Sequence, residues 1–249
     1  MNIIEIKELS HIFSNGTQGL DGIDFSAKRG EFIVIAGRNG SGKTTLLRHL
    51  NGLLFPTGGI VLVDGVSVSE DPVRARRVVG MVFQDSDTQI IGETVREDVA
   101  FGPENLCLDR KEIEQRISEA LSITGLTCFA DARPHLLSGG EKRRLAIAGV
   151  LAMKPEVLAF DEPFSNLDYP GTRQVLKQII ELHKSGRTII ITTHDLEKVI
   201  AHTDRLIIMN DGKIARTGTP GQIIADTEMF GIKEPYFSRM GLGMISWLN

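Results

Sequence analysis

The feature that most constrains the fold of this chain is a glycine-rich stretch just after a run of apolar residues. Residues 37–44 read GRNGSGKT, and residues 32–35 before them read FIVI. A short apolar run bounded by glycine is typical of a strand buried on both faces of a parallel sheet. The glycines let successive backbone N–H groups surround phosphate oxygens, and the start of a following helix adds partial positive charge. The stretch therefore predicts a nucleotide phosphate site in an α/β domain, where Lys43 reaches the β- and γ-phosphates and Thr44 offers its hydroxyl to Mg²⁺.

Two further apolar runs end in polar residues of the kind that carry chemistry. Residues 157–160 are followed by Asp161 and Glu162, and residues 188–191 lead into a segment that ends in His194. Sites in open α/β sheets lie just beyond the carboxyl ends of the strands. Adjacent carboxylates at such an edge suit Mg²⁺ coordination by one of them, Asp161, and polarisation of a water molecule by the other, Glu162.

The sequence LSGGE at residues 137–141 predicts the start of a helix. Ser138 and Glu141 have the spacing of a capping box, and the two glycines between them leave the first N–H groups of the helix bare. Such a start is a second anion-binding helix terminus. Two interpretations stay open from the residues alone: a simple capped helix, or a second nucleotide bound across a dimer interface.

The middle of the chain differs in character from its flanks. Thr94 and Glu97 form another capping-box pattern, and apolar residues at 113, 117, 120 and 121 have helical spacing. An Asn-Asp-Gly turn at residues 210–212 joins two short strand-like runs. We therefore divide the chain into a nucleotide-binding core (1–84 and 156–215), a helical subdomain (85–155) and a C-terminal extension (216–249).

Taken together and in order, these motifs resemble the nucleotide-binding subunit of an ABC transporter over nearly the whole chain. Walker A corresponds to residues 37–44, the signature to 137–141 and Walker B to 157–161, followed by Glu162. The resemblance implies an α/β P-loop NTPase fold: an ABC cassette with a mixed sheet core, an antiparallel β subdomain and an inserted α-helical subdomain. It also implies ATP hydrolysis with Mg²⁺ at a head-to-tail dimer interface.

The same resemblance assigns expected roles to individual residues. Those expected to bind the nucleotide are Phe13, Gly37, Asn39, Gly40, Ser41, Gly42, Lys43, Thr44 and Thr45. Those expected to be catalytic are Glu162, His194 and Gln84, and those expected to hold the metal are Thr44, Gln84 and Asp161. The signature residues expected to act on the partner's ATP are Ser138, Gly139, Gly140 and Glu141, and the D-loop residue is Asp168.

Three positions depart from the commonest family pattern. Glu141 stands where glutamine is more frequent, Phe13 replaces the usual tyrosine that stacks on adenine, and Tyr169 separates Asp168 from Pro170. An aromatic ring at position 13 still provides a stacking surface. Only the exit from the D-loop is put in question by Tyr169.

A finer resemblance is to the energy-coupling factor branch of these ATPases. It rests on residues 80–84, 98–103 and 146–153 and on the length of the C-terminal extension. It implies import of cobalt, nickel or a vitamin such as biotin at the cytoplasmic face of the membrane. It also implies a second ATPase subunit (a copy or a relative), an integral membrane transporter subunit and a membrane substrate-binding subunit. In that branch the extension, here 216–249, helps to join two ATPase subunits.

Composition excludes several other classes of protein. The net charge of −4 gives no basic footprint, so no nucleic-acid partner is expected. The N-terminus has no secretory signal, and no apolar stretch approaches the ~20 residues that span a bilayer. We expect a soluble protein that meets a membrane only through a partner. We also expect Cys107 and Cys128 to be buried or half-buried free thiols in a reducing compartment.

Some alternatives stay open, and others are disfavoured. A conventional ABC importer or exporter ATPase is the main alternative. A soluble ABC ATPase outside transport is remote, because the chain has one cassette and no long coiled-coil insertion. A GTPase base-reading motif is missing, and a kinase would lack the 137–141 signature. Ile90, Ile91, Val95 and Val99 are interpreted either as core residues or as the lining of a groove for a helix of a membrane subunit.

Overall fold

The computed structural model describes residues 1–248, and within that range ten strands form two sheets. The first sheet is antiparallel and has the order β2-β1-β4-β5. Its strands are β1 (Asn2–Ile12), β2 (Gln18–Lys28), β4 (Gly58–Val63) and β5 (Val66–Ser67). Their buried residues alternate with more exposed ones along much of β1 and β2, as expected for a sheet with one face on the core.

The second sheet is mixed and has the order β10-β9-β3-β8-β7-β6. Its strands are β3 (Phe32–Ala36), β6 (Val79–Val82), β7 (Val157–Asp161), β8 (Thr188–Thr193), β9 (Arg205–Asn210) and β10 (Lys213–Gly218). All pairs are parallel except β9 with β10, which the Asn210-Asp211-Gly212 turn connects. Every residue of β3, β7 and β8 is buried, which confirms the prediction of strands covered on both faces.

The helices surround this mixed sheet. They are α1 (Lys43–Leu50), α2 (Pro72–Val78), α3 (Val95–Asn105), α4 (Arg110–Thr124), α5 (Gly139–Ala152), α6 (Tyr169–Lys184), α7 (Pro220–Ile223) and α8 (Tyr236–Arg239). Short 3₁₀ turns lie at Thr127–Phe129, Pro134–Leu136, Ile200–His202 and Ile224–Phe230.

Helices α3, α4 and α5 form the inserted helical subdomain that the sequence predicted. Both predicted capping boxes are present, Thr94 with Glu97 at α3 and Ser138 with Glu141 at α5. Ile117 and Leu121 of α4 are buried, and α3 and α4 both pack on α5. The residue limits of the core, the helical subdomain and the extension remain a prediction.

The expectation of buried cysteines was wrong. Cys107 and Cys128 are both free and exposed. Cys107 follows the end of α3 in a left-handed conformation, and Cys128 lies in the 3₁₀ turn after α4. Both thiols sit on short connections between helices, where the backbone runs along the surface. No helix within residues 1–248 is long and apolar enough to cross a bilayer.

Candidate functional site

The glycine-rich stretch forms a loop between β3 and the start of α1, and Lys43 lies beneath it. The Lys43 ammonium donates to the carbonyl of Gly37 at 2.8 Å and to that of Arg38 at 3.1 Å. Gly40 and Gly42 have φ of 82° and 100°, a left-handed conformation that glycine adopts without a Cβ penalty. We call residues 37–45 the phosphate cradle. Its lysine side chain is only 6% exposed and is held by the loop that it serves.

Thr44, the second residue of α1, is tied to the end of β7. Its hydroxyl is 2.8 Å from Asp161 Oδ2 and 3.0 Å from Oδ1. The hydroxyl of Thr192, at the end of β8, donates to Asp161 Oδ1 at 2.6 Å. Because β7 and β8 are parallel neighbours, their carboxyl ends bring these groups together. Thr44 and Asp161 thus present hard oxygen ligands of the kind that Mg²⁺ prefers.

Glu162 follows directly and is held in an unusual backbone conformation. Its φ is 47°, in the left-handed region that a glutamate rarely occupies, and its side chain is buried. Its Oε2 is 3.0 Å from Nδ1 of the exposed His194, and its Oε1 is 3.6 Å from the Lys43 ammonium. Strain of this kind persists where the surrounding structure enforces it, most often at functional sites.

The donors and charges of this cluster fit a phosphate chain accompanied by a divalent cation. Two buried carboxylates, Asp161 and Glu162, face one buried ammonium, Lys43, so the buried set carries net negative charge. Among residues 1–248, Ser41 Oγ and Glu162 Oε1 are buried without a hydrogen-bond partner. Buried polar atoms usually have partners, so these two are available to a ligand.

Gln84 lies at the same sheet edge, two residues after β6. Its side chain is exposed, and its carbonyl accepts a hydrogen bond from Nη2 of Arg143. Arg143, on α5, also donates to the carbonyl of Phe83, so its guanidinium holds two successive backbone carbonyls, those of Phe83 and Gln84. Burial lowers the pKa of Arg143, and the carboxylates of Asp85 and Asp161 oppose this. The structure therefore anchors the Gln84 loop to the helix that begins at the signature.

The signature start, residues 138–141, lies apart from the cradle. With Asn166, Asp168 and Gly171 it lines a surface cavity of about 410 Å³ to which no residue of 37–45 contributes. Ser138 and Gly139 are exposed, and Gly140 is half-buried. The Ser138 hydroxyl donates to Glu141 Oε2 at 2.7 Å and accepts from the Glu141 N–H at 3.3 Å. The hydrogen bonds from the Ser138 side chain and then from its backbone lower the pKa of Glu141.

Asp168 is the N-cap of α6 and borders the same cavity. Its Oδ1 accepts from the backbone N–H of Gly171 at 2.9 Å. An added Cβ on Gly140 would lie 3.5 Å from the Cα of Gly171, so the starts of α5 and α6 approach closely. The structure thus brings the signature and the D-loop together on one open face.

Phe13 follows β1 and sits next to the cradle. A Cβ on Gly19 would come within 2.6 Å of its ring, and the carbonyl of Gly19 abuts Gly42. The ring of His11 meets Phe13 edge-on, with centroids 4.7 Å apart. His11 Nδ1 is in turn 3.2 Å from Nε2 of His49, on α1. The ring of Phe13 is therefore connected to α1 through His11 and His49.

The remaining cradle residues flank the loop in different ways. Asn39 is exposed at its tip. Thr45 is half-buried, and its carbonyl is 2.8 Å from Nδ1 of His49. Gly37 has no room for a side chain, since a Cβ would lie 2.3 Å from Ser41 Oγ.

Sequence reasoning missed two residues that support the site. Thr192 holds Asp161, and Arg143 holds the Gln84 loop. The only signal for Thr192 was a hydroxyl at the end of an apolar strand. For Arg143 there was no distinguishing signal, because it stands between two other basic residues, Lys142 and Arg144, near the start of α5.

Comparison with known proteins places this geometry in context. A family described as ABC transporter matches residues 20–165. The energy-coupling factor transporter ATP-binding protein EcfA of Methanocaldococcus jannaschii is 47% identical over 231 residues, which cover 92% of this chain and 83% of that protein. The protein of the same name from Methanococcus maripaludis is 44% identical over 92% of this chain and 83% of its own length.

Solved structures give the same picture. The cbiO1 protein of Clostridium perfringens, described as part of the ABC transporter complex cbiONQ, is 38% identical with a TM-score of 0.83, covering 96% of this chain and 97% of that one. The ATP-binding cassette MJ0796, in a dimeric post-hydrolysis state bound to ADP and Pi, is 29% identical with a TM-score of 0.78. That match covers 87% of this chain and 98% of the cassette.

Proposed function

This chain belongs to the ABC transporter family of ATP-binding proteins, and from that premise we propose that it is the ATP-hydrolysing subunit of an energy-coupling factor importer. It is an ATPase of the ABC type. The energy-coupling assignment draws on relatives 44–47% identical over 92% of the chain that carry that name. The observation that carries the chemistry is the buried cluster of Lys43, Asp161 and Glu162 beneath the glycine loop.

In the proposed reaction the chain positions phosphates and activates water. Lys43 and the N–H groups of the cradle hold the phosphate oxygens of ATP, where charge develops as the γ-phosphoryl group transfers. Glu162, buried and strained, polarises the attacking water, and His194 holds the other oxygen of that carboxylate. Thr44, Asp161 and Gln84 would hold Mg²⁺, which neutralises phosphate charge when bound. The ring of Phe13 stacks on adenine.

We propose further that the signature start acts on ATP held by a second subunit. Residues 138–141 lie on an open face away from the cradle of their own chain, together with Asp168. The bare N–H groups at the start of α5 favour an anion such as the γ-phosphate. Both half-sites are present in one chain, so two copies suffice, and a dimer with a related ATPase is equally competent.

Mixing two inactive variants tests this arrangement. Lys43→Ala disables the cradle, and Ser138→Arg places a bulky side chain at the signature start without touching the cradle. Each variant alone is expected to lose hydrolysis, while Ser138→Arg still binds ATP. In an equal mixture, half of the dimers are mixed and have one intact site of two, so about a quarter of the wild-type rate returns.

The control for that experiment is a double variant carrying both changes, mixed with wild type in the same ratio. Only the wild-type dimers, about a quarter of the total, then have intact sites, so about a quarter of the wild-type rate is expected if sites are shared and about half if each subunit works alone. If the mixture of single variants recovers no ATP hydrolysis, that result would contradict a site shared between subunits. Hydrolysis at the normal rate by Ser138→Arg alone would contradict it as well.

A second surface supports a membrane partner. An apolar groove of about 490 Å³ runs between the β6 edge and the helical subdomain, and Val73, Met81, Ile91, Phe101 and Met153 line it. Of the four residues left open between core and groove, Val95 and Val99 are fully buried core residues, Ile91 lines the groove, and Ile90 is half-buried and packs against the core. We propose that the groove receives an apolar face of a helix of the integral membrane subunit.

Introduction of a charge into the groove tests that proposal. Phe101 is 51% exposed, so Phe101→Glu leaves the core intact. It is expected to abolish co-purification with membrane subunits while ATP binding is unchanged. Met229→Glu, an exposed change elsewhere, is the matched control. Retained co-purification of Phe101→Glu would contradict the docking site.

The cargo that we propose is a transition metal ion such as cobalt or nickel, or a vitamin such as biotin. The ATPase then works at the cytoplasmic face of the membrane, bound to a transporter subunit and a substrate-binding membrane protein. Affinity purification from native membranes with this chain as bait is the deciding measurement. Recovery of a conventional permease pair instead would move the chain to another importer or exporter branch.

A further inference from the structure

Residues 246–248, which we call the clasp, return to the start of α6. The ring of Trp247 packs against the ring of Tyr169, with centroids 5.4 Å apart and planes tilted by 50°. Tyr169 directly follows Asp168 and is the residue that separates it from Pro170. The proposed reaction uses neither aromatic residue.

Arg173, one turn further along α6, forms hydrogen bonds with both Tyr169 and the clasp. Its guanidinium donates to the Tyr169 hydroxyl at 3.1 Å and to the carbonyl of Leu248 at 2.9 Å. The guanidinium carbon also lies 5.7 Å from the centroid of the Tyr169 ring, within cation–π range. The clasp is thus bound to α6 through main-chain and side-chain contacts.

The other side of the clasp reaches the segment after His194. The Lys198 ammonium lies 5.8 Å from the centroid of the Trp247 ring and 3.0 Å from Oδ2 of Asp195. The Ser246 hydroxyl shares a hydrogen bond of 2.9 Å with Nε2 of His202. Trp247 therefore bridges the D-loop exit and the segment that carries His194.

We propose that Trp247 is a positioning residue for ATP hydrolysis, which holds Asp168 and His194 in one fixed relation. The inference rests on the roles proposed above for those two residues. Tyr169 and the His194 side chain are each 57% exposed, so core packing alone does not fix either of them. A bridge between the two loops supplies the missing constraint. Small displacements of catalytic groups slow a reaction strongly even where substrate binding persists.

Substitution of Trp247 separates positioning from packing. In the full chain, Trp247→Ala is expected to lower kcat about tenfold, with the KM for ATP changed less than about twofold. Trp247→Phe keeps a ring against Tyr169 and is expected to restore most of the rate. Met229→Ala, 76% exposed in the same C-terminal region, is the control and is expected to keep the wild-type rate.

A second variant guards against loss of folding. Tyr169→Ala removes an exposed side chain from the other end of the contact. If both residues act through one contact, the double variant is no slower than the slower single variant. Independent, multiplying losses would overturn the proposal, as would a fall in kcat accompanied by a fall in Tm that Trp247→Phe does not reverse.

The emission of Trp247 supplies an independent readout of its contact with Tyr169. It is the only tryptophan in the chain, so its fluorescence reports on the clasp directly. The emission of Tyr169→Ala is expected to differ from that of the wild type, because the Trp247 ring loses its partner. A wild-type emission that Tyr169→Ala leaves unchanged would show that the contact does not hold in solution and would overturn the proposal.

The failures of the two proposals are distinguishable. A wild-type chain that hydrolyses no ATP would overturn the proposed function and the positioning role together. An active wild type whose kcat survives Trp247→Ala overturns the positioning role alone.

Discussion

The phosphate cradle and the signature start are built in opposite ways. In the cradle and at the strand end beside it, Lys43 and Asp161 are buried and bonded to groups of their own chain, over sequence separations of 6 and 117 residues respectively. At the signature start, Ser138 is exposed, and the hydrogen bonds described for its side chain reach only Glu141, three residues away. One half-site is a buried, internally bonded cluster, whereas the other is an exposed helix start.

This difference gives the physical reason for our proposal that one chain binds ATP and needs a second subunit for hydrolysis. The low-dielectric interior strengthens the attraction of the Lys43 ammonium for the negative charge on a phosphate. The exposed N–H groups of α5 gain similar strength only when another surface excludes water from them. In the dimer that we propose, ATP bridges the two surfaces and stabilises the closed state, and its hydrolysis removes the bridge.

The largest effect is expected from a variant that disables only the buried half-site. Glu162→Gln removes the carboxylate that polarises water but keeps its size, so hydrolysis is expected to slow by about 10²- to 10⁴-fold. ATP binding, measured by equilibrium titration, is expected to persist. Glu114→Gln, on the surface of α4, is the matched control. Normal turnover by Glu162→Gln would remove Glu162 from the proposed reaction.

A smaller effect is expected in the open half. Glu141→Gln keeps the capping box, because glutamine also serves at that position, but removes a negative charge beside the expected phosphate. The KM for ATP in the dimer is expected to fall about two- to fivefold, the size of one charge at a helix start. ATP binding to the monomer should not change, since the cradle is untouched. A rise in KM would argue against an anion at this helix end.

The smallest expected effect is on the pH dependence of stability. It is measured by comparing His49, which is buried on α1, with His135, which is exposed beside the signature start. Burial lowers the pKa of His49 below its ordinary 6.5, and the neighbouring His11 lowers it further, while the carbonyls of Thr45 and Phe55 act in the opposite direction. As pH falls through 6.5, the unfolded chain takes up a proton at His49 that the folded chain does not. The free energy of unfolding therefore decreases as the pH is lowered through that window. Above the window, His49 contributes no pH dependence to stability.

His49→Gln removes this titration and keeps an N–H donor. Its Tm is expected to fall less than that of the wild type between about pH 7 and pH 5, by roughly one or two degrees. Burial also lowers the pKa of His202, so part of the slope remains. His135→Gln, at an exposed residue beside the signature, should leave the slope as in the wild type. Equal slopes for all three proteins would show that burial of His49 carries no linkage.

Local patterns predicted the elements that depend on near neighbours in sequence. The apolar run at residues 32–35 became a fully buried strand, and Thr94 and Ser138 became N-caps as their spacing to Glu97 and Glu141 indicated. These features depend on contacts three or four residues apart, or on the burial of a continuous run. The exposed cysteines were mispredicted because hydrophobic character alone does not reveal that a residue lies on a turn between helices.

The sequence by itself determined the chemistry available to this protein: a glycine loop with Lys43, two carboxylates after a strand, and a capped helix start with bare N–H groups. Only the tertiary structure decided which of these groups meet. Arg143 donates to the carbonyl of Gln84, which lies 59 residues earlier in the sequence, and His49 contacts His11, which lies 38 residues earlier. Trp247, near the C-terminal end of the described residues, contacts Tyr169 at the start of α6. Such contacts depend on how sheets and helices pack, and packing is set by the whole core rather than by the spacing of any one motif.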